Sequence, residues 1–195
     1  SLETDTASFF FFFNPSGSNL RLVNEINDIA GNVLAPEPYF MYTYGKYFKN
    51  RINPGYAGLV GEYVYSSVYD KGEGYTSGDI RPATPLNEPV INNLFPYAGG
   101  PDGTLYVAAS GNALYNRNIR VEVNNTQLVD EVMNVFNDLR RQVTLPVSLI
   151  SSGTAAVKIT NTSANPNDRM VVSRYEITYP RQFNFDNSTN FIFEL

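Results

Sequence analysis

The chain has 195 residues, 19 acidic against 14 basic side chains, a formal net charge of −5, and neither cysteine nor histidine. Losing both types removes disulfides, thiolate metal sites, a thiol nucleophile and the usual neutral-pH proton shuttle, leaving carboxylates, Tyr, Lys and Ser for any chemistry. Only 17% of residues are charged, and the short clusters "KNR" and "LRR" make no basic stripe of the kind nucleic-acid binding needs.

The length suits one domain, or one large domain plus an appendage, and a compact chain of this size buries about 70% of the surface its unfolded form exposes. No apolar run approaches the ~20 residues of a membrane-crossing helix, and no charged-then-apolar leader opens the sequence. The chain starts at Ser1 and its final "NFIFEL" still reads as strand, so the expectation is a piece of a longer polypeptide.

Tyr and Phe number 14 and 13, with Gly and Pro spread along the chain, which is the profile of strands divided by turns. "SFFFFFN" (Ser8 to Asn14) carries five consecutive Phe, too many for one-sided alternation. A strand buried on both faces, or one resting against a partner domain, accounts for it. "NPSGS" turns the chain, "NLRLVNEI" suits a short return strand, and "APEPYF" is extended punctuation. From Tyr39 to Tyr69 the chain is aromatic and irregular, with "EYVYSSVY" alternating as a strand.

"YDKGEGYTSGD" follows. Its carboxylates Asp70, Glu73 and Asp79 are candidate oxygen ligands for Ca²⁺, which takes 6–8 of them in irregular geometry. Their spacing is not that of a helix–loop–helix calcium loop, and the competing reading is a solvated connection. An acid/base carboxylate pair needs burial that this Gly-rich stretch does not promise. "RPATPLNEPVINN" is Pro-rich, and Thr84 to Pro89 is the expected internal boundary. It divides an aromatic-rich N-terminal β portion (1–88) from a sandwich (89–195), unless the two form one continuous domain.

Beyond it the pattern regularises. A strand runs from Thr104 to Ser110. "NIRVEVNN" places Ile119, Val121 and Val123 on one face and Arg120, Glu122 and Asn124 on the other. "QVTLPVSLI" and "TAAVKITN" flank a turn at 151–153, and "RMVVSRYEITYPR" is the longest strand. "QLVDEVMNVFNDLRR" remains open: Val129, Val132, Met133, Phe136 and Leu139 fit helical spacing, but two strands with a turn at "NDL" fit equally. Strands every 8–15 residues or so predict an all-β sandwich.

Tyr39, Tyr42, Tyr44, Tyr47 and Phe48 are dense enough to form a stacking platform for sugar rings, with Tyr42, Tyr44 and Tyr47 the candidate ligand residues. The alternative is that these rings fill a core or cover a sheet. "NNT", "NTS" and "NST" fit the glycosylation pattern but carry no weight in an Asn-rich chain.

The order of "TLYVAAS", "IRVEVNNTQL", "VTLPVSLISSG", "AAVKITNTSANPNDR" and "VVSRYEITYPRQF" resembles the jelly-roll sandwich of galactose-binding-like domains and carbohydrate-binding modules. "DTASFFFFFNPSGSNLRLV", "YDKGEGYTSGD" and "RYEITYPRQFNF" are similar to stretches around the sandwich that precedes the catalytic domain in gingipain-type cysteine peptidases of Bacteroidetes, a group that includes the sortase of the type IX secretion system. That pattern usually carries Trp where this chain has Tyr75, and no Trp occurs here. The family's reaction uses a Cys–His pair, absent from this chain, so the resemblance implies a non-catalytic accessory segment. It further implies a secreted or outer-membrane-surface address, and packing against a peptidase domain or a secretion-system protein. The runner-up is a carbohydrate-binding module.

Overall fold

In the computed structural model the described residues are 31, 35–49, 51, 55–57, 62–64, 75–189, 191 and 193. The expectations for Phe9–Phe13, for "NLRLVNEI", and for Asp70 and Glu73 fall outside them. The chain divides into Ser1–Pro36 and a compact unit, Glu37–Leu195, which is described below.

Among the described residues this unit has ten strands: β1 (Phe40–Tyr47), β2 (Gly55–Ala57), β3 (Glu62–Val64), β4 (Leu86–Asn87), β5 (Gly103–Gly111), β6 (Asn118–Val123), β7 (Thr126–Val132), β8 (Asp138–Leu145), β9 (Val157–Asn161) and β10 (Met170–Arg181). One 3-10 turn, Val147–Ile150, interrupts them, and no α-helix occurs among the described residues. The strands form two four-stranded sheets, ordered β1-β10-β5-β8 and β4-β9-β6-β7, beside a β2-β3 pair. All pairings are antiparallel, and the architecture is an all-β jelly-roll sandwich. β1 and β4, which precede residue 89, pair with β10 and β9, which follow it.

Alternation builds the core. Leu105 and Val107 of β5 and Tyr175, Ile177 and Tyr179 of β10 face Ile119, Val121 and Val123 of β6 and Val157 and Ile159 of β9, all at most 1% exposed. The period-2 reading of "NIRVEV" is thus the observed burial. Asn124 and Asn125 close the β6–β7 hairpin at φ 48° and 66°, the left-handed pair such two-residue turns require. The Asn124 amide also donates to the Leu149 and Thr154 carbonyls and accepts from Ala156 N–H, tying the hairpin to the next loop.

The open segment 127–141 belongs to two strands, β7 and β8, but the chain turns over 133–137 rather than at "NDL", whose Asp138 and Leu139 already lie in β8. Val129 and Met133 are buried while Val132 is 64% exposed, which one helical face would not produce. Two expectations are corrected. "QVTLPVSLI" is strand only to Leu145, because Pro146 has no N–H to continue the ladder and the chain coils into the 3-10 turn. Phe191 and Phe193 of "NFIFEL" lie outside any strand and instead join a cluster of rings.

Candidate functional site

The tyrosines of β1 go to opposite faces. Phe40, Tyr42, Tyr44 and Lys46 point between the sheets, and Met41, Thr43, Gly45 and Tyr47 point out. The run Tyr39–Phe48 therefore does not present one platform. Tyr39 stacks on Tyr97 at 5.4 Å, and Tyr44 and Phe48 pack against the core.

Tyr42 belongs to a network of rings. It stacks on Phe191 (5.3 Å), meets Tyr179 edge-on (6.0 Å) and lies beneath the Arg181 guanidinium (5.0 Å). Arg181 is 5% exposed and also covers Phe95 and Phe191. It donates to the carbonyls of Asn93, Leu94 and Asn184 and to the Tyr179 hydroxyl, and no carboxylate pairs with it among the described residues. Carbonyl dipoles and ring faces thus hold a buried cation. Phe40, Phe183, Phe185, Phe191 and Phe193 continue the network, and Phe183 and Phe193 remain about two-fifths exposed.

A groove of about 260 Å³ lies over Tyr42, Tyr44 and Phe191. Its polar rim is spoken for: Asn93 donates to Asp186 at 3.0 Å and Ser188 to the Phe185 carbonyl at 2.6 Å. Asn93, Phe95, Asp186 and Asn187 all have positive φ, so the rim is held in a costly backbone conformation by its own contacts.

Tyr47 stands apart. Its ring folds back over Gly45, where an added Cβ would fall 2.4 Å from Cε2, and its hydroxyl donates to Glu176 Oε1 at 2.8 Å. That bond, with burial and the Glu176 charge behind it, pushes the Tyr47 pKa up. Glu176 pairs with Arg174 at 3.4 Å, and Arg174 covers the Tyr106 ring at 4.8 Å. The Cε2–Cζ–OH side of Tyr47 is the part nearest Gly45, and the residue is 46% exposed. Of the three candidate ligand tyrosines, this one is exposed, while Tyr42 and Tyr44 are half-buried.

Asp79 is part of a structural contact. Its Oδ1 accepts from Asn112 Nδ2 at 3.0 Å and its Oδ2 pairs with Arg169 at 3.4 Å. No group of three or more His, Cys, Asp or Glu that could hold a metal ion occurs among the described residues. Near the end of β1, a cleft of about 340 Å³ is lined by Lys46, Lys49, Arg51 and Thr76–Gly78. Lys46 there is paired with Glu88 at 3.6 Å.

Residue types and spacing gave no signal for Arg181, for the Arg174–Tyr106 contact or for the buried Arg117–Asp168 pair, whose partners lie far apart in sequence. Gly45 was the one available hint, since a glycine inside a strand marks a place where something approaches closely.

By fold, the chain is similar to dimeric latent PorU from Porphyromonas gingivalis, with a TM-score of 0.52 at 8% identity, over 79% of this chain and 14% of that one. It superposes more distantly on the carbohydrate-binding module CBM36 in complex with calcium and xylotriose (TM-score 0.37, 8% identity, 50% of this chain and 76% of that one). Another distant match is CBM35 from Paenibacillus barcinonensis (TM-score 0.33, 17% identity, 70% and 97%). No protein-family model and no curated protein matches the sequence.

Proposed function

We propose that this chain is a non-catalytic accessory β-sandwich of a secreted or cell-surface gingipain-type cysteine peptidase homologue, packing against the peptidase domain of the same polypeptide. The observation that carries the packing role is the ring cluster at the C-terminal end of β10. Phe183 and Phe193, whose rings meet at 5.8 Å, are left 41% and 38% exposed. Contiguous apolar surface of this kind is what an interface covers. The sandwich shared with part of PorU, and the resemblance of "RYEITYPRQFNF" to the strand closing the family's accessory domain, support the same reading.

Reading the gene beyond Leu195 tests it. A caspase-like domain bearing His and Cys is expected, and its absence would overturn the assignment. In the joined protein, Phe183→Ser with Phe193→Ser should loosen the two domains, read as faster hydrogen exchange along β1.

A second reading, a carbohydrate-binding module, is favoured by the exposed ring of Tyr47. Retention of the purified protein on insoluble polysaccharide is its general test.

A further inference from the structure

The two outer faces of the sandwich differ in kind. On the β4-β9-β6-β7 sheet the outward side chains form ion pairs, Arg120 with Asp130 at 2.8 Å and Lys158 with Glu122 at 3.3 Å, and no aromatic ring stands on that face among the described residues. This is an ordinary solvated surface.

The β1-β10-β5-β8 sheet is organised otherwise. Strand register aligns Thr43, Thr178, Thr104 and Thr144 in one outward row across all four strands, and Thr43 and Thr178 are hydrogen-bonded at 2.8 Å. The adjacent row is Gly45, Glu176, Tyr106 and Gln142. Tyr47 folds back over that glycine, and Arg174 covers Tyr106. The result is a strip spanning three strand spacings, roughly 14 Å. It has a fixed ring at one edge, a line of hydroxyls beside it, and a carboxylate, a guanidinium and an amide in between.

We infer that this outer face is a binding site for an extended, uncharged polysaccharide chain, with one sugar ring stacked on Tyr47 and the following units lying along the threonine row. The inference rests on the carbohydrate-binding reading, not on the accessory role. Three features select the ligand. The ring is pinned before binding by Gly45 beneath it and Glu176 at its hydroxyl, so little side-chain entropy remains to be lost. Hydroxyls, an amide and a carboxylate complement a polyol, which both donates and accepts. The charges on this face are paired, Arg174 with Glu176 and Arg140 with Asp138, which favours a neutral chain over a polyanion or polycation. Covering Gly45 shields a strand glycine, but that benefit requires neither the aligned hydroxyls nor an exposed ring.

The test is native gel electrophoresis through neutral β-glucan or xylan, with polygalacturonate as the charged comparison. Titration with cellohexaose and xylohexaose then follows β1 and β10 amide shifts. The unchanged protein should be retarded by a neutral polymer and not by the polyuronate. Tyr47→Ala should weaken binding at least tenfold while the thermal midpoint falls only slightly and the sheets remain folded at the assay temperature, because the side chain is outside the core. Gly45→Ala, which lifts the ring off the sheet, should also weaken it, and Thr43→Val with Thr178→Val should reduce it further. Glycan binding untouched by Tyr47→Ala and Gly45→Ala would overturn this site while leaving the module reading standing. No binding to any of the polymers would end both.

Discussion

Arg117 has five N–H groups and all five find acceptors. Nε and Nη2 grip both oxygens of Asp168 at 2.7 Å, Nη1 donates to the Met133 and Val135 carbonyls, and Nη2 also reaches Ala113. Neither side chain of the pair has any exposed surface. A pair so placed escapes salt screening, and removing one partner strands a buried charge. Asp168→Asn should therefore cost about 3–5 kcal/mol in urea unfolding, with little dependence on added salt. Replacing both residues with apolar ones often restores stability elsewhere, but here it would leave three loop carbonyls without donors. Arg117→Met with Asp168→Leu is thus expected to remain well below the parent, and full recovery would mean that the carbonyl contacts contribute nothing. Arg181 is held instead through carbonyls and ring faces, with no anion paired to it among the described residues.

At the scale of elements, two neighbouring hairpins show how local chemistry and tertiary pairing divide the work. The β6–β7 turn uses Asn124 and Asn125, residues that accept the left-handed region, so the sequence announces it. The β7–β8 connection instead places Val135 at φ 47°, a conformation a β-branched side chain resists. The strain is held because the Val135 carbonyl must face Arg117 Nη1 and its N–H must reach the Tyr115 carbonyl at 2.9 Å. Val135→Asn keeps both backbone contacts and relieves the conformation, so the unfolding midpoint should rise, by about 1 kcal/mol in stability. A fall would mean that the half-buried valine side chain outweighs its backbone cost. The same strain explains why "QLVDEVMNVFNDLRR" was undecidable from pattern. No Gly, Asn-Gly or Pro marks the turn, and the apolar spacing fits a helix until β6 and β5 supply strand partners on either side.

Across the whole molecule, the sequence was legible where period-2 alternation meets good turn residues, as in β5, β6 and β10. It was illegible where long-range partners decide the outcome. Tyr42, Tyr44 and Tyr47 read as one aromatic cluster, yet a strand sends alternate side chains to opposite faces, so the cluster splits between the inter-sheet space and the outer surface. The inward side has a consequence for the entire fold. Burial, the nearby Glu88 carboxylate and Tyr44 push the Tyr175 hydroxyl far above its ordinary value of 10.0. Burial also raises Tyr179, partly offset by Arg181, while its hydroxyl donates to the Leu94 carbonyl at 2.8 Å. Because folding favours the protonated form of both, their contribution is complete below pH 10.0 and declines as pH climbs above it, by up to about 1.4 kcal/mol per unit for each group. Alkaline titration followed together by tyrosinate absorbance and circular dichroism should show the exposed tyrosines ionising first with the sheets intact. The remainder should then ionise in the same narrow interval in which the sheets are lost. With Tyr179→Phe, which removes one of the two buried phenols, that interval should broaden. Ionisation of all 14 tyrosines near the ordinary value, with the sheet signal unchanged, would contradict a core that keeps Tyr175 and Tyr179 from water.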